Sequence, residues 1–446
     1  MHTITKLSLK DIILLGMTNF ALYVGAGNII FPPFIGLQAG DHVLPAAIGF
    51  ILTGVGLPVI AAIALARVGG VLQYITIPIG IKLGLIMTVL CYLCIGPLYA
   101  IPRTATVAYE LAITPFTHTL SYLPIYSVIY FAISFLFALY PAKILDTVGK
   151  ILSPIKISAL LILCLTAWFI EAGVSEIPNG PYVNEPFSQG VINGYLTLDT
   201  LASLAFGIVI VDAIRSRGIN DRKKITHYAI ISGSIAGLGL LFIYICLFKL
   251  GNESFNIANG STNGAEVLAA YVNMTFGIAG NIFLGVLIIV ACLVTAIGLT
   301  CACSSYFSKI TKIKYRTYVI AISLFGTLIS NLGLTHLIKV SIPFLITIYP
   351  MFIVLVLASF FTSFFNNAAR VIAPPALLSL AFGLVDGCNS AGFHIIPEAL
   401  IKILPLYDSN LAWLLPSFTV FVICFILDKF SAINKKSKTL STTIKK

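Results

Sequence analysis

Long apolar runs alternate with short polar or basic segments from one end of the chain to the other. About 20 apolar residues are enough for a helix to cross a bilayer. Twelve runs qualify, approximately 11–37, 43–66, 83–107, 123–140, 151–171, 195–214, 224–248, 277–305, 317–333, 337–361, 371–387 and 410–428. The third, seventh and eighth are long enough to tilt or to extend past the membrane. The pattern predicts an all-α polytopic membrane protein with 12 transmembrane helices. No stretch reads as a soluble module, so residues 1–446 are expected to form a single membrane domain. A twelve-helix core would cover 8–430, and the polar, basic tail 431–446 should be disordered. Lys6 and Lys10 precede a long span with no small-residue cleavage pattern. The first helix is therefore expected to serve as its own insertion signal.

The apolar pattern is interrupted inside two spans. Gly25-Ala26-Gly27-Asn28 sits near the middle of the first, where an unbroken helix would want Leu or Ala. Glycine in a helix interior costs roughly 1 kcal/mol relative to alanine. Irregular backbone is tolerated in hydrocarbon only where it lines a cavity or is buried in protein. Five spans later, Ala205-Phe206-Gly207 marks the midpoint of the sixth. Breaks at these two places suit an inverted repeat of five helices, with spans 1–5 and 6–10 as the repeats and spans 11 and 12 peripheral. The N–H groups of Gly25, Ala26 and Gly27 would then hold a carboxylate. Carbonyls freed near Ala21, Tyr23 and Val24 would face Na⁺. Asn28 is either a ligand or a cap for the second half-helix. Close helix packing is the competing use of Gly25 and Gly27, but three unusual residues in four favour a site.

Composition narrows the class. With 59% apolar and 10% charged residues, the chain departs from the ~25% charge of soluble domains. Placing both termini in the cytoplasm puts all but Arg103, Lys156, Lys249, Lys339 and Lys402 of the 27 basic residues on the inner side, as the positive-inside rule requires. The formal charge of +11 then needs no nucleic acid, because basic loops face anionic lipid. The nine cysteines lie almost entirely within spans. Cys91-Tyr92-Leu93-Cys94 and Cys301-Ala302-Cys303 have metal-like spacings without histidine partners, and they read as packing residues. The six histidines are scattered over ends and loops. No nucleotide, cofactor or triad motif appears, so neither an enzyme nor a single-chain primary pump is expected.

A few polar residues within spans carry candidate chemistry. In the eighth span the Thr300 hydroxyl and the Ile297 carbonyl could form a second wall for a hard cation, with Ser304 one turn away. Threonine hydroxyls also commonly bond back to their own helix. Arg103 and Glu110 close the third span. Asp199 is expected about two turns outside the sixth-span break. Arg103 and Asp199 could pair as a gate over an outer vestibule, or Arg103 could simply sit at the headgroups. Lys156 is expected to snorkel; as a movable positive charge it could instead replace Na⁺, which keeps H⁺ coupling open.

The segment Asn19-Phe20-Ala21-Leu22-Tyr23-Val24-Gly25-Ala26-Gly27-Asn28-Ile29-Ile30-Phe31-Pro32-Pro33 closely resembles the first span of bacterial branched-chain amino acid symporters. So do Gly96-Pro97 with Pro102-Arg103-Thr104-Ala105-Thr106-Val107, and Phe206-Gly207-Ile208-Val209 with Asp212-Ala213-Ile214. The likeness runs from about 8 to 430. That family is similar in architecture to the leucine-transporter fold of the amino acid–polyamine–organocation superfamily, a 5+5 inverted repeat with discontinuous helices 1 and 6. The resemblance implies leucine, isoleucine and valine uptake across a bacterial inner membrane by alternating access, driven by Na⁺ or, in some members, H⁺. It puts Ala21, Val24, Ile297 and Thr300 at cation positions, with Cys301 where relatives often use serine. The substrate would lie on Gly25–Asn28, with its ammonium on carbonyls around Ala205 and Phe206 and its side chain in an apolar pocket that includes Phe206. Expected partners are the amino acid and membrane lipid, with no protein partner. The alternatives are a proton-coupled carrier of other neutral amino acids or nucleobases, and an amino-acid-sensing receptor on the same scaffold.

Overall fold

A computed structural model describes residues 6–117, 119–139, 153–170, 173, 177–393, 406–407, 409 and 411–443. It is helical, with no strand among the described residues. The main helices are α1 (Leu9–Tyr23), α2 (Ala26–Ala39), α3 (Val43–Ile51), α4 (Leu57–Arg67), α5 (Ile81–Leu93), α6 (Ala100–Ala112), α7 (Leu123–Ala138) and α8 (Ser153–Thr166). They are followed by α9 (Pro186–Leu196), α10 (Asp199–Arg215), α11 (Arg222–Asn252), α12 (Gly264–Thr311), α13 (Tyr315–Ser330), α14 (Leu334–Ser359), α15 (Ala368–Ser390) and α16 (Leu414–Thr443).

Among the described residues, 7 helical stretches are long and apolar enough to cross a membrane, with three shorter apolar helices besides. Hydropathy sums apolar residues without regard to backbone. It runs α1 into α2, and the end of α9 into α10, across breaks that the structure resolves. Residues 26–67 conversely form one apolar stretch of 42 residues, through a wide turn at Leu52–Gly56.

The chain divides into two compact units, Met1–Arg67 with Cys91–Ser341, and Val68–Leu90 with Ile342–Lys446. The first unit contains both broken helices, and their packing is reciprocal. Both halves of the first, α1 and α2, lie along α11. Both halves of the second, α9 and α10, lie along α3 and α4. Each broken helix of one repeat thus packs on the second helix of the other, as an inverted repeat requires. Glycines allow the close approach. A Cβ on Gly36 would stand 2.3 Å from the Phe248 carbonyl oxygen, and one on Gly251 1.9 Å from that of Pro33. At the other crossing, Gly49 and Gly190 would meet the carbonyl oxygens of Phe187 and Ala46 at 2.1 and 2.0 Å. Without a hydrophobic drive between helices in lipid, such backbone contact supplies the packing energy.

In the second unit, a Cβ on Gly383 would stand 2.4 Å from the Thr347 carbonyl oxygen of α14. The Asp428 carboxylate of α16 accepts the backbone N–H groups of Asn366 and Asn367 at 2.7 and 3.1 Å, just ahead of α15. Helix α16 runs on to Thr443, whereas disorder was expected after Lys429. An apolar first half nucleates it, and no Gly or Pro interrupts 431–443. Lys402 and the side chain of Lys156 lie outside the described residues.

Candidate substrate and ion site

The first break falls at Val24 and Gly25. The Val24 N–H still bonds the Phe20 carbonyl at 3.0 Å, but its ψ of 88° leaves the helix. Gly25 is extended (φ −103°, ψ −166°), and helix resumes at Ala26. The side chain of Asn28 reaches back, its Oδ1 accepting the Gly25 N–H at 2.8 Å. In this half of a capping box Asn28 acts as a cap for the second half-helix. Its Nδ2 donates to Asp199 Oδ2 and to the Tyr244 hydroxyl, both at 2.5 Å. The tyrosine in turn donates to Asp199 Oδ2 at 3.3 Å. All three side chains are buried, so first break, second break and α11 are tied by one polar cluster. Within it Gly27 is closely approached from both sides. A Cβ there would stand 3.1 Å from an Arg103 guanidinium nitrogen and 3.2 Å from Thr197 Cα.

The second break falls at Thr197 and Leu198. Leu198 is left-handed (φ 67°, ψ 8°), a conformation costing roughly 1–2 kcal/mol for a residue with a Cβ. Asp199 is the first residue of α10, and its N–H bonds Thr197 Oγ1 at 3.3 Å. Buried Arg103, from α6, donates to the carbonyls of Leu196 and Thr197, the latter at 2.9 Å. Its guanidinium also lies 5.5 Å from the centre of the Phe31 ring. A cation is favourable at this carbonyl-rich helix end. Beside the α1 terminus, Asn19 and Tyr23 are buried, with the Tyr23 hydroxyl close to the Asn19 and Ser203 side chains.

Known proteins bear on this geometry. The family model described as "Branched-chain amino acid transport protein" matches residues 8–431. The branched-chain amino acid permease BrnQ of Salmonella typhimurium is 50% identical over 426 residues, covering 95% of this chain and 97% of its own. The chain belongs to the branched-chain amino acid transport protein family. Two solved structures share its fold. Mhp1, a nucleobase-cation-symport-1 family transporter in a closed conformation with bromovinylhydantoin bound, superimposes with a TM-score of 0.57 at 14% identity, covering 93% of this chain and 92% of its own. MhsT in complex with L-phenylalanine gives 0.53 at 15% identity, covering 94% and 98%. The leucine-transporter fold is therefore that of this family member. Relatives are named as permeases and carriers rather than enzymes.

For this family member the structure gathers Gly25, Ala26, Gly27, Asn28, Arg103 and Asp199 around the two breaks. Asp199 sits at the second break itself, and not two turns outside it, because that break lies earlier than expected. Ala205, Phe206 and Gly207 are interior to the continuous helix α10, so their carbonyls bond within it. Gly207 serves packing: a Cβ there would stand 2.3 Å from Leu65 Cδ2. The eighth-span set is also differently disposed. Ile297 packs with Ala138 and Val319, and the Cys301 thiol points to the Ala138 carbonyl at 3.8 Å. That edge of α12 is taken up by α7 and α13, while Thr300 is buried. From α12, Thr295 reaches the first break, its Cγ2 lying 3.8 Å from a Cβ placed on Gly25. Sequence reasoning missed Leu196, Thr197 and Tyr244. Only a tyrosine hydroxyl late in an apolar span hinted at the last.

Proposed function

We propose that the protein is a secondary active symporter that imports leucine, isoleucine and valine with Na⁺ by alternating access. It would sit in the inner membrane of a bacterium with both termini cytoplasmic, where the basic loops meet anionic lipid. The observation carrying this reading is that two helix breaks face each other within one buried polar cluster. The substrate carboxylate rests on first-turn N–H groups of α2, at Ala26 and Gly27, which have no intrahelical partner. Na⁺ binds at the end of α1, using carbonyls around Ala21 and Val24 and the oxygens of Asn19 and Tyr23. A hard cation takes such oxygen donors, and their burial beside the first break supports the placement. Arg103, spanning α6 and the end of α9, sets the position of the second break as the site opens and closes. The permease name of its relative and the amino acid held by MhsT support the substrate class.

Each buried methylene is worth about 0.8 kcal/mol, so leucine should bind better than alanine while the three branched residues differ little. The test is radiolabelled leucine uptake into proteoliposomes, with and without an inward Na⁺ gradient. Accumulation that needs Na⁺ and is competed by isoleucine and valine is expected. Uptake that follows a proton gradient and ignores Na⁺ would overturn the coupling, and absence of uptake would overturn the function.

A further inference from the structure

We propose that Asp199 is the receptor for the ammonium group of the transported amino acid, with Asn28 and Tyr244 as its positioning residues. This rests on the transport reading above and names the recognition chemistry of that site. The second break has two obvious acceptors, the carbonyls of Leu196 and Thr197, and Arg103 donates to both. The carbonyls of Ala205 and Phe206 lie within continuous helix. Each break carbonyl has a second lone pair, but with the Arg103 guanidinium already there an ammonium would meet a like charge. A zwitterion whose carboxylate rests on the α2 terminus therefore needs another anion for its ammonium.

Asp199 meets that need on geometry. The bonds from Asn28 Nδ2 and the Tyr244 hydroxyl fall on Oδ2, and the Thr197 side chain and the Arg103 charge also lie beside the carboxylate. An ionised carboxylate offers about four lone-pair sites over its two oxygens, so Oδ1 keeps the capacity to accept. Asn28 belongs to the first turn of α2, and its amide touches Asp199 directly. The anion receptor and the amide terminus are thus joined by one side chain, as an α-amino acid with adjacent charges requires. Burial of Asp199, Asn28 and Tyr244 strengthens a charge-assisted bond made there.

The competing role for Asp199 is purely structural, holding the two breaks together. Ligand pairs separate the roles. Wild type and Asp199→Asn, purified in detergent, are titrated with leucine and with 2-hydroxy-4-methylpentanoate, which replaces the ammonium by a hydroxyl. Removing one partner of a buried charge pair is costly. In Asp199→Asn, leucine should therefore weaken by at least about tenfold, while the hydroxy acid holds or tightens. Parallel weakening of both ligands, or no weakening of leucine, overturns the proposal. Tyr244→Phe gives the same reading should Asp199→Asn fail to fold. It leaves the charge in place, so the leucine-to-hydroxy-acid ratio should fall by a smaller factor, and an unchanged ratio counts against the proposal. Wild-type uptake is run alongside. If the wild type does not take up leucine, the transport reading has failed; if it does and the ratio stays fixed, only the assignment of Asp199 has failed.

Discussion

The guanidinium of Arg103 forks onto two successive carbonyls, Leu196 and Thr197, and only a planar group with several fixed donors can do this. Lysine would keep the charge as a point and satisfy the pair poorly. Hydrogen bonds to charged groups contribute about 1.5–3 kcal/mol. Arg103→Lys should thus lower initial leucine uptake by roughly tenfold or more while its size-exclusion profile stays that of the wild type. Uptake at the wild-type rate would show that the second break holds its shape without the fork. The two breaks were unequally legible for a reason visible at single residues. Gly25 and Gly27 stand out in an apolar run, and the first break lies beside them. The residue that turns the chain at the second break is Leu198, which looks like any other apolar residue of a span. Gly207 drew the reading instead, although its lack of a side chain makes room for Leu65. Tertiary contact decided both positions, and a single sequence does not display it.

At the level of helices, hydropathy located the apolar runs well and their interruptions poorly. Apolar content measures what the lipid sees. A break is set by buried groups that satisfy loose backbone ends: the Asn28 side chain for the Gly25 N–H, and Arg103 for the α9 carbonyls. The register of α12 was similarly hidden, because Ile297, Thr300 and Cys301 are all apolar or small enough to suit either edge. The crossing of α2 with α11 rests on paired glycines, and this gives a prediction at the same scale. A methyl on Gly251 would stand 1.9 Å from the backbone oxygen of Pro33, which cannot move as a flexible side chain would. Overpacking of this kind costs typically 1–3 kcal/mol. Gly251→Ala should lower the temperature at which the detergent-solubilised protein loses its monodisperse peak by several degrees. An unchanged midpoint would mean that the helices separate without penalty.

Across the whole molecule, the proposed alternating access demands that the space beside the breaks be reached by water in one state and closed in another. Thr295 marks the edge of α12 next to the first break, and Gly298 lies one turn further along the same edge. A Cβ on Gly298 would meet nothing within 4 Å, so a small side chain fits there without displacing its surroundings. A Gly298→Cys variant, made in a background whose native cysteines are replaced and which still takes up leucine, reports on that space. A bulky, charged thiol reagent should label it, and labelling should slow when leucine and Na⁺ are both present. Binding stabilises whichever conformation holds the ligands better, and a closed site excludes the reagent. Under the proposed binding mode the ion would lie at the end of α1 and the zwitterion at the start of α2, so that each favours the conformation that the other needs, and leucine without Na⁺ should protect weakly. Protection by leucine that is indifferent to Na⁺ would separate the two ligands energetically and leave the gradient without a means of driving uptake.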